Sequence, residues 1–117
     1  MHDQSYLDIL AETKNGYVSC CNCCGEFNLT YKNVLLVLEE EALFRFFEWV
    51  ITYRSSRENF QPLPHGRDRI YSSPHSNLYL VYNDEELNEL EELFAGVRLI
   101  LEARRLAAFN KASSNDN

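Results

Sequence analysis

All four cysteines of the chain fall within one five-residue stretch, at Cys20, Cys21, Cys23 and Cys24. A disulfide stabilises a protein most when it closes a long loop, so thiols this close together would gain little from cross-linking. Such a cluster suits metal ligation, redox chemistry, or burial of the thiols as small apolar side chains. The residue types alone leave these three interpretations open.

The spacing Cys21-x-x-Cys24-Gly25 is typical of a zinc knuckle between two strands. Two thiolates with this spacing reach one ion, and Gly25 permits the turn that aims backbone N–H groups at the sulfurs. Cys20-x-x-Cys23 is a competing frame. Because side chains alternate along a strand, Cys20 and Cys21 are expected on opposite faces of the sheet. All four thiols are therefore not expected to bind one ion.

A structural zinc ion takes about four ligands, so this knuckle supplies half of the coordination shell. His65, Asp68 and His75, or the same cysteines of a second copy, are candidates for the remainder. We predict a metal site formed by Cys21, Cys24 and His65. A redox-active pair usually lies at a helix N-terminus, which lowers the thiol pKa, whereas this motif lies between predicted strands.

The cysteine turn is predicted to connect two strands of a series of short ones. Period-two patterns and turn residues predict strands over residues 6–13, 17–21, 27–31, 34–38, 69–72 and 78–82. Asn15-Gly16 predicts a type I′ hairpin turn, because both central residues of that turn need a positive φ.

Two amphipathic helices are predicted after the strand pairs. The first begins with three glutamates from Glu39, and the second is capped by Asn83 with Glu86 as its capping-box partner. Gly96 within the second helix predicts close packing against the first helix. The apolar residues at helical spacing are Leu43, Phe46, Phe47, Val50 and Tyr53 in the first helix, and Leu87, Leu90, Phe94, Val97 and Leu101 in the second.

The first helix is apolar on more than one side, because Phe44, Trp49 and Ile51 lie off its core stripe. Keeping each large apolar side chain out of water is worth about 1.5–3 kcal/mol. This indicates a second covered surface, either within the fold or between two chains. We predict a homodimer, or association with another protein partner.

The two helical segments align with each other, residues 33–43 on residues 77–87, without gaps. This alignment predicts a ββα unit that occurs twice, preceded by an N-terminal hairpin. The expected fold class is α+β, an antiparallel sheet of five to six strands with both helices on one face. In the same alignment Cys21 and Cys24 correspond to His65 and Asp68.

A chain of 117 residues predicts a single domain, here over residues 1–110, with a Ser- and Asn-rich disordered tail over 111–117. The net charge of −7 argues against general nucleic-acid binding, although residues 54–69 are locally basic. No apolar run is long enough to span a membrane, and the N-terminus lacks the pattern of a secretion signal. We therefore expect a cytoplasmic protein.

The segment Asn15-Gly16-Tyr17, followed by Cys21, Cys24, Gly25, Phe27 and Leu29, resembles a family of small uncharacterised bacterial proteins, a domain of unknown function. Its pattern is similar to N-G-Y-x-x-x-C-x-x-C-G-x-F-x-L, followed by two strand-and-helix units. The resemblance favours the Cys21/Cys24 frame and implies no activity. Cys20 and Cys23 depart from the pattern.

The sequence contains no complete catalytic constellation and none of the common nucleotide-binding motifs. We predict a non-enzymatic cytoplasmic module that acts by protein association and has a structural zinc ion at the cysteine turn. The alternative is a zinc-ribbon-like regulator that binds nucleic acid or an anion through the basic stretch. A thiol-disulfide enzyme is a third interpretation.

Overall fold

The computed structural model describes residues 7–114, with side chains described as far as Lys111. Short 3-10 turns at Arg57–Asn59 and Pro64–Gly66 interrupt the loop after the first helix. The helices and strands, in chain order, are β1 (Leu7–Thr13), β2 (Gly16–Cys21), β3 (Phe27–Tyr31), β4 (Val34–Leu38), α1 (Glu40–Thr52), β5 (Arg69–Ser72), β6 (Tyr79–Tyr82) and α2 (Asp84–Ser114).

The strands form two antiparallel sheets, a four-stranded meander in the order β1-β2-β3-β4 and a separate β5-β6 hairpin. The predicted α+β class, with two helices and an antiparallel sheet, is confirmed. The strands do not, however, join in one sheet of five or six. The edge of β5 that faces away from β6 forms a bridge between Arg69 and Phe60 of the preceding loop. This loop therefore occupies the edge of β5 at which another strand would pair.

Both helices pack on the same face of the four-stranded sheet, α2 over β1 and β2 and α1 over β3 and β4. Alternation along the strands directs every second apolar side chain into the space beneath the helices. The buried core residues are Leu10, Val18, Phe27, Leu29, Tyr31, Leu36 and Leu38 from the four-stranded sheet, Leu43, Phe46, Phe47 and Val50 from α1, Tyr71, Leu80 and Tyr82 from the β5-β6 hairpin, and Leu87, Leu90, Leu93, Phe94 and Val97 from α2.

The aromatic side chains beside the core stripe of α1 are partly buried by contacts within the fold. Phe44 packs edge-on against Phe94, with ring centroids 5.5 Å apart, and Trp49 packs against Tyr71 at 5.4 Å. Tyr53, which was expected in the core, is 49% exposed because it is the C-cap where α1 ends. The described surface of α1 therefore does not by itself require a second chain.

Two glycines have roles different from those predicted. The β1–β2 turn consists of Lys14 and Asn15, and neither Asn15 nor Gly16, both within the described residues, has a positive φ. Gly16 is required for close packing, because a Cβ there would lie 2.4 Å from the carbonyl oxygen of Thr30. Gly96 packs against β1 and not against α1, since its Cβ would lie 2.9 Å from the Cβ of Ala11.

The predicted start of α2 at a capping box is confirmed. Asn83 Oδ1 accepts the N–H of Glu86, and Glu86 Oε1 accepts the N–H of Asn83, each at 2.9 Å, as in a capping box. The helix continues through residues 111–114, which the sequence assigned to a disordered tail, while residues 115–117 lie outside the described part of the chain.

The ββα repeat stays a prediction: both units have the order hairpin then helix, but α2 has 31 residues and α1 has 13.

A single carboxylate ties α2 to the first hairpin. The side chain of Glu89 accepts hydrogen bonds from the Thr13 hydroxyl (2.6 Å), the Tyr31 hydroxyl (2.9 Å), and the backbone and side-chain amides of Asn15 (both 2.8 Å). Burial raises the pKa of Glu89, but these donors outweigh burial and lower its pKa from 4.5 to about 2.

This carboxylate should make the stability of the protein depend on pH. A lowered pKa in the folded state contributes stability above pH 4.5 that is lost as the pH falls towards about 2. We expect Glu89→Gln to reduce the loss of unfolding free energy between pH 7 and pH 3 by about 1–2 kcal/mol. Urea unfolding of both proteins at the two pH values measures this difference. The exposed Glu92→Gln is the control, and an equal effect of the two substitutions would contradict the prediction.

Candidate metal centre

The cysteine turn is the five-residue connection, residues 22–26, between β2 and β3. The N–H of Cys21 donates to the carbonyl of Glu26 at 2.8 Å, and the N–H of Gly25 donates to the carbonyl of Cys21 at 2.9 Å. Gly25 has a φ of 74°, which glycine adopts at little cost. These bonds fold the chain back over a short distance, so that thiols near one another in sequence converge.

Three thiols meet at this turn. The Sγ atoms of Cys21, Cys23 and Cys24 all lie within 4.8 Å of one another, and those of Cys21 and Cys23 are 3.0 Å apart. Cys21 is only 1% exposed, whereas Cys23 and Cys24 are exposed. With Zn–S bonds of about 2.3 Å, tetrahedral geometry places two sulfur ligands about 3.8 Å apart. The group therefore fits a thiophilic ion with small side-chain adjustments.

The three thiols share protons unequally. The thiols of Cys21 and Cys23 share a hydrogen bond, and this bond, together with the thiol of Cys24 and the N–H groups of Cys23 and Cys24, lowers the pKa of Cys21 from 9.0 to about 7. The same bond raises the pKa of Cys23 to about 11. For Cys24, a backbone hydrogen bond at Glu26 lowers the pKa, but the bond with Cys21 and burial outweigh it and raise the pKa. Cys21 is thus the thiol that most readily becomes the first metal-binding thiolate.

Cys20 lies apart from this group, which confirms the prediction that Cys20 and Cys21 face opposite sides of the sheet. Cys20 is partly buried and packs against the hydrophobic core, and burial raises the pKa of its thiol. Cys21 instead lines a pocket on the open face of the sheet. This pocket has a volume of about 440 Å³ and is lined by Leu7, Tyr17, Ser19, Cys21, Glu26, Asn28, Leu35 and Val37.

The structure brings together two of the three predicted ligands, Cys21 and Cys24, and adds Cys23. By spacing alone Cys23 belonged to the competing frame Cys20-x-x-Cys23. The alternation of side chains holds within strands and does not describe a tight turn, in which Cys23 can join Cys21 and Cys24. His65 is not part of this group. It lies in the 3-10 turn Pro64–Gly66 with a φ of 68°, and its role as a ligand stays a prediction.

Three of the four arginines of the basic stretch, Arg54, Arg67 and Arg69, contact acidic residues at the start of α2. Arg54 pairs with Asp84 and with Glu91, the latter at 2.8 Å, and Arg69 is buried between Asp84 and Asp68. In the same region Arg67 pairs with the buried carboxylate of Glu86 at 2.9 Å, which Lys32 also contacts at 2.6 Å. These ion pairs hold the β5-β6 hairpin against α2. They weigh against the alternative in which this stretch binds nucleic acid.

Fold and site together define a small α+β protein with three thiols gathered in one hairpin turn. Within the described residues, neither helix is both long and apolar enough to cross a membrane. The chain belongs to a family described as Family of unknown function (DUF6686), which it matches over residues 1–104. The resemblance to a family of unknown function is thereby confirmed. No curated protein and no solved structure matches the chain.

Proposed function

We propose that the protein is a non-enzymatic cytoplasmic module that holds a zinc ion in its cysteine turn and acts by association with a second copy of itself. The observation that carries the metal site is the convergence of three sulfur atoms within 4.8 Å around the Cys21 thiol. Thiolates are the ligands that structural zinc sites favour, and a reducing compartment keeps the thiols available.

The proposed ligands are Cys21, Cys23 and Cys24. Cys21, whose thiol pKa is lowered to about 7, would supply the first thiolate, and Cys23 would lose its thiol proton to solvent on becoming a ligand. Three thiolates leave one position of a tetrahedral shell for a further donor, such as a water molecule or a ligand from a second copy. Structural zinc ions bind tightly enough to contribute directly to folding stability.

Metal binding can be tested on protein purified without a chelator. We expect native mass spectrometry to show one zinc ion per chain, and Co²⁺ substitution to give the charge-transfer absorption of about three thiolates. The matched control is the same protein after its thiols are alkylated. Substoichiometric zinc, together with a Co²⁺ spectrum that lacks thiolate charge transfer, would remove the proposed metal site.

A further inference from the structure

The C-terminal half of α2 extends beyond the domain. A helix of 31 residues is about 46 Å long, and the molecule measures 61 Å along its longest axis against 30 and 27 Å along the others. All side chains from Glu102 to Lys111 are exposed. A helix in a protein is stabilised mainly by packing of an apolar face, which this segment does not obtain from its own described domain.

This segment has an apolar seam on the side facing away from the core. Leu99 is 71% exposed, Leu106 is 63% exposed and Phe109 is 68% exposed. Together with Ala95 and Glu102, they occur at alternating intervals of four and three residues, the spacing of a coiled-coil seam. The opposite side of the helix faces its own domain, where Arg104 pairs with Asp8 of β1.

We propose that this seam, formed by Ala95, Leu99, Glu102, Leu106 and Phe109, binds the same seam of a second copy in antiparallel orientation. The inference rests on the association part of the proposed function and identifies its surface. It does not depend on the metal site. The contact is isologous, since each copy contributes the same residues through a two-fold axis.

Charge complementarity favours the second copy and the antiparallel orientation. A parallel pair would place Glu102 beside Glu102 of the other chain, and like charges at such a position repel. In the antiparallel pair Phe109 lies over a shallow depression on the other copy. This depression is lined by Ala95, Arg98, Leu99 and Glu102. This register brings Glu102 of one copy close to Arg105 of the other. Arg105 lies on the flank of the seam and is 63% exposed, although it also pairs with Glu40 of its own chain.

The test is the mass of the full chain in solution, measured by analytical ultracentrifugation at several micromolar concentrations. We expect a dimer for the unmodified protein, and a dissociation constant raised at least about tenfold by Leu106→Glu. Ile9→Glu is the matched control, because Ile9 is also apolar and exposed but lies on the open face of the sheet. It introduces the same charge, and we expect it to leave the dimer unchanged.

Charge reversal tests the orientation. Glu102→Arg should weaken the dimer, and the double variant with Arg105→Glu should restore it. Dissociation by Ile9→Glu but not by Leu106→Glu would overturn the α2 seam and place the contact on the sheet. A dimer that resists both substitutions would overturn the seam but leave the proposed association intact. A monomeric unmodified protein would overturn both, and the zinc measurement would still decide the metal site separately.

Discussion

Cys21→Ser is expected to lower the affinity for zinc by at least about 100-fold, because loss of a ligand should cost at least as much as loss of a residue that supports one. Cys21 combines the lowered pKa with a position close to both other thiols, since its sulfur lies 3.0 Å from that of Cys23 and within 4.8 Å of that of Cys24. Serine at this position cannot supply a thiolate. The remaining pair, Cys23 and Cys24, would supply only two of the three thiolates.

Cys20→Ser is the matched control for this substitution. It removes a neighbouring thiol on the other face of the sheet, where the side chain packs against the core and does not belong to the three-thiol group. Competition with a chromophoric chelator measures both affinities. An equal loss in the two variants would show that the ion is not bound where the thiols converge.

The same pair of variants separates metal binding from a purely structural role of the thiol. A ligand that binds only the folded state stabilises it in proportion to the logarithm of its concentration. Added zinc should therefore raise the melting temperature of the unmodified protein and of Cys20→Ser, and leave that of Cys21→Ser unchanged. A melting temperature of the unmodified protein that does not respond to zinc would contradict a role of the ion in folding stability.

Phe94→Ala is expected to lower the free energy of unfolding by about 3–5 kcal/mol. Phe94 stacks on Phe47 with ring centroids 4.9 Å apart and meets the edge of Phe44 at 5.5 Å, so it is a principal contact between the two helices. Truncation would remove these contacts and leave a cavity that the helices close only in part.

Tyr79→Ala is the control for this substitution, because Tyr79 is an aromatic residue that is 61% exposed. We expect it to cost less than about 1 kcal/mol. Urea unfolding monitored by circular dichroism measures both. Similar costs for the two variants would mean that the contact between α1 and α2 contributes little to stability.

Local patterns in the sequence were sufficient to predict most elements. The apolar run Val34–Leu38 predicted the strand that forms β4, and Asn83 with Glu86 forms the predicted capping box. The opposite orientation of Cys20 and Cys21 followed from the period of a strand. These features depend on backbone geometry and on residues close in sequence, which a sequence shows directly.

The tertiary structure decided which distant surfaces meet. Gly96 packs on Ala11 of β1 and not on α1. The β5-β6 hairpin is separate from the main sheet, and its Arg69 pairs with Asp84 at the start of α2. The third thiol of the site, Cys23, joined through the path of a turn whose shape no strand period describes. Residue types and spacing thus determined the elements and the turn that carries the thiols. The tertiary structure decided the packing and the charge pairing, because both depend on contacts between segments far apart in the chain. It also decided the exact course of the turn.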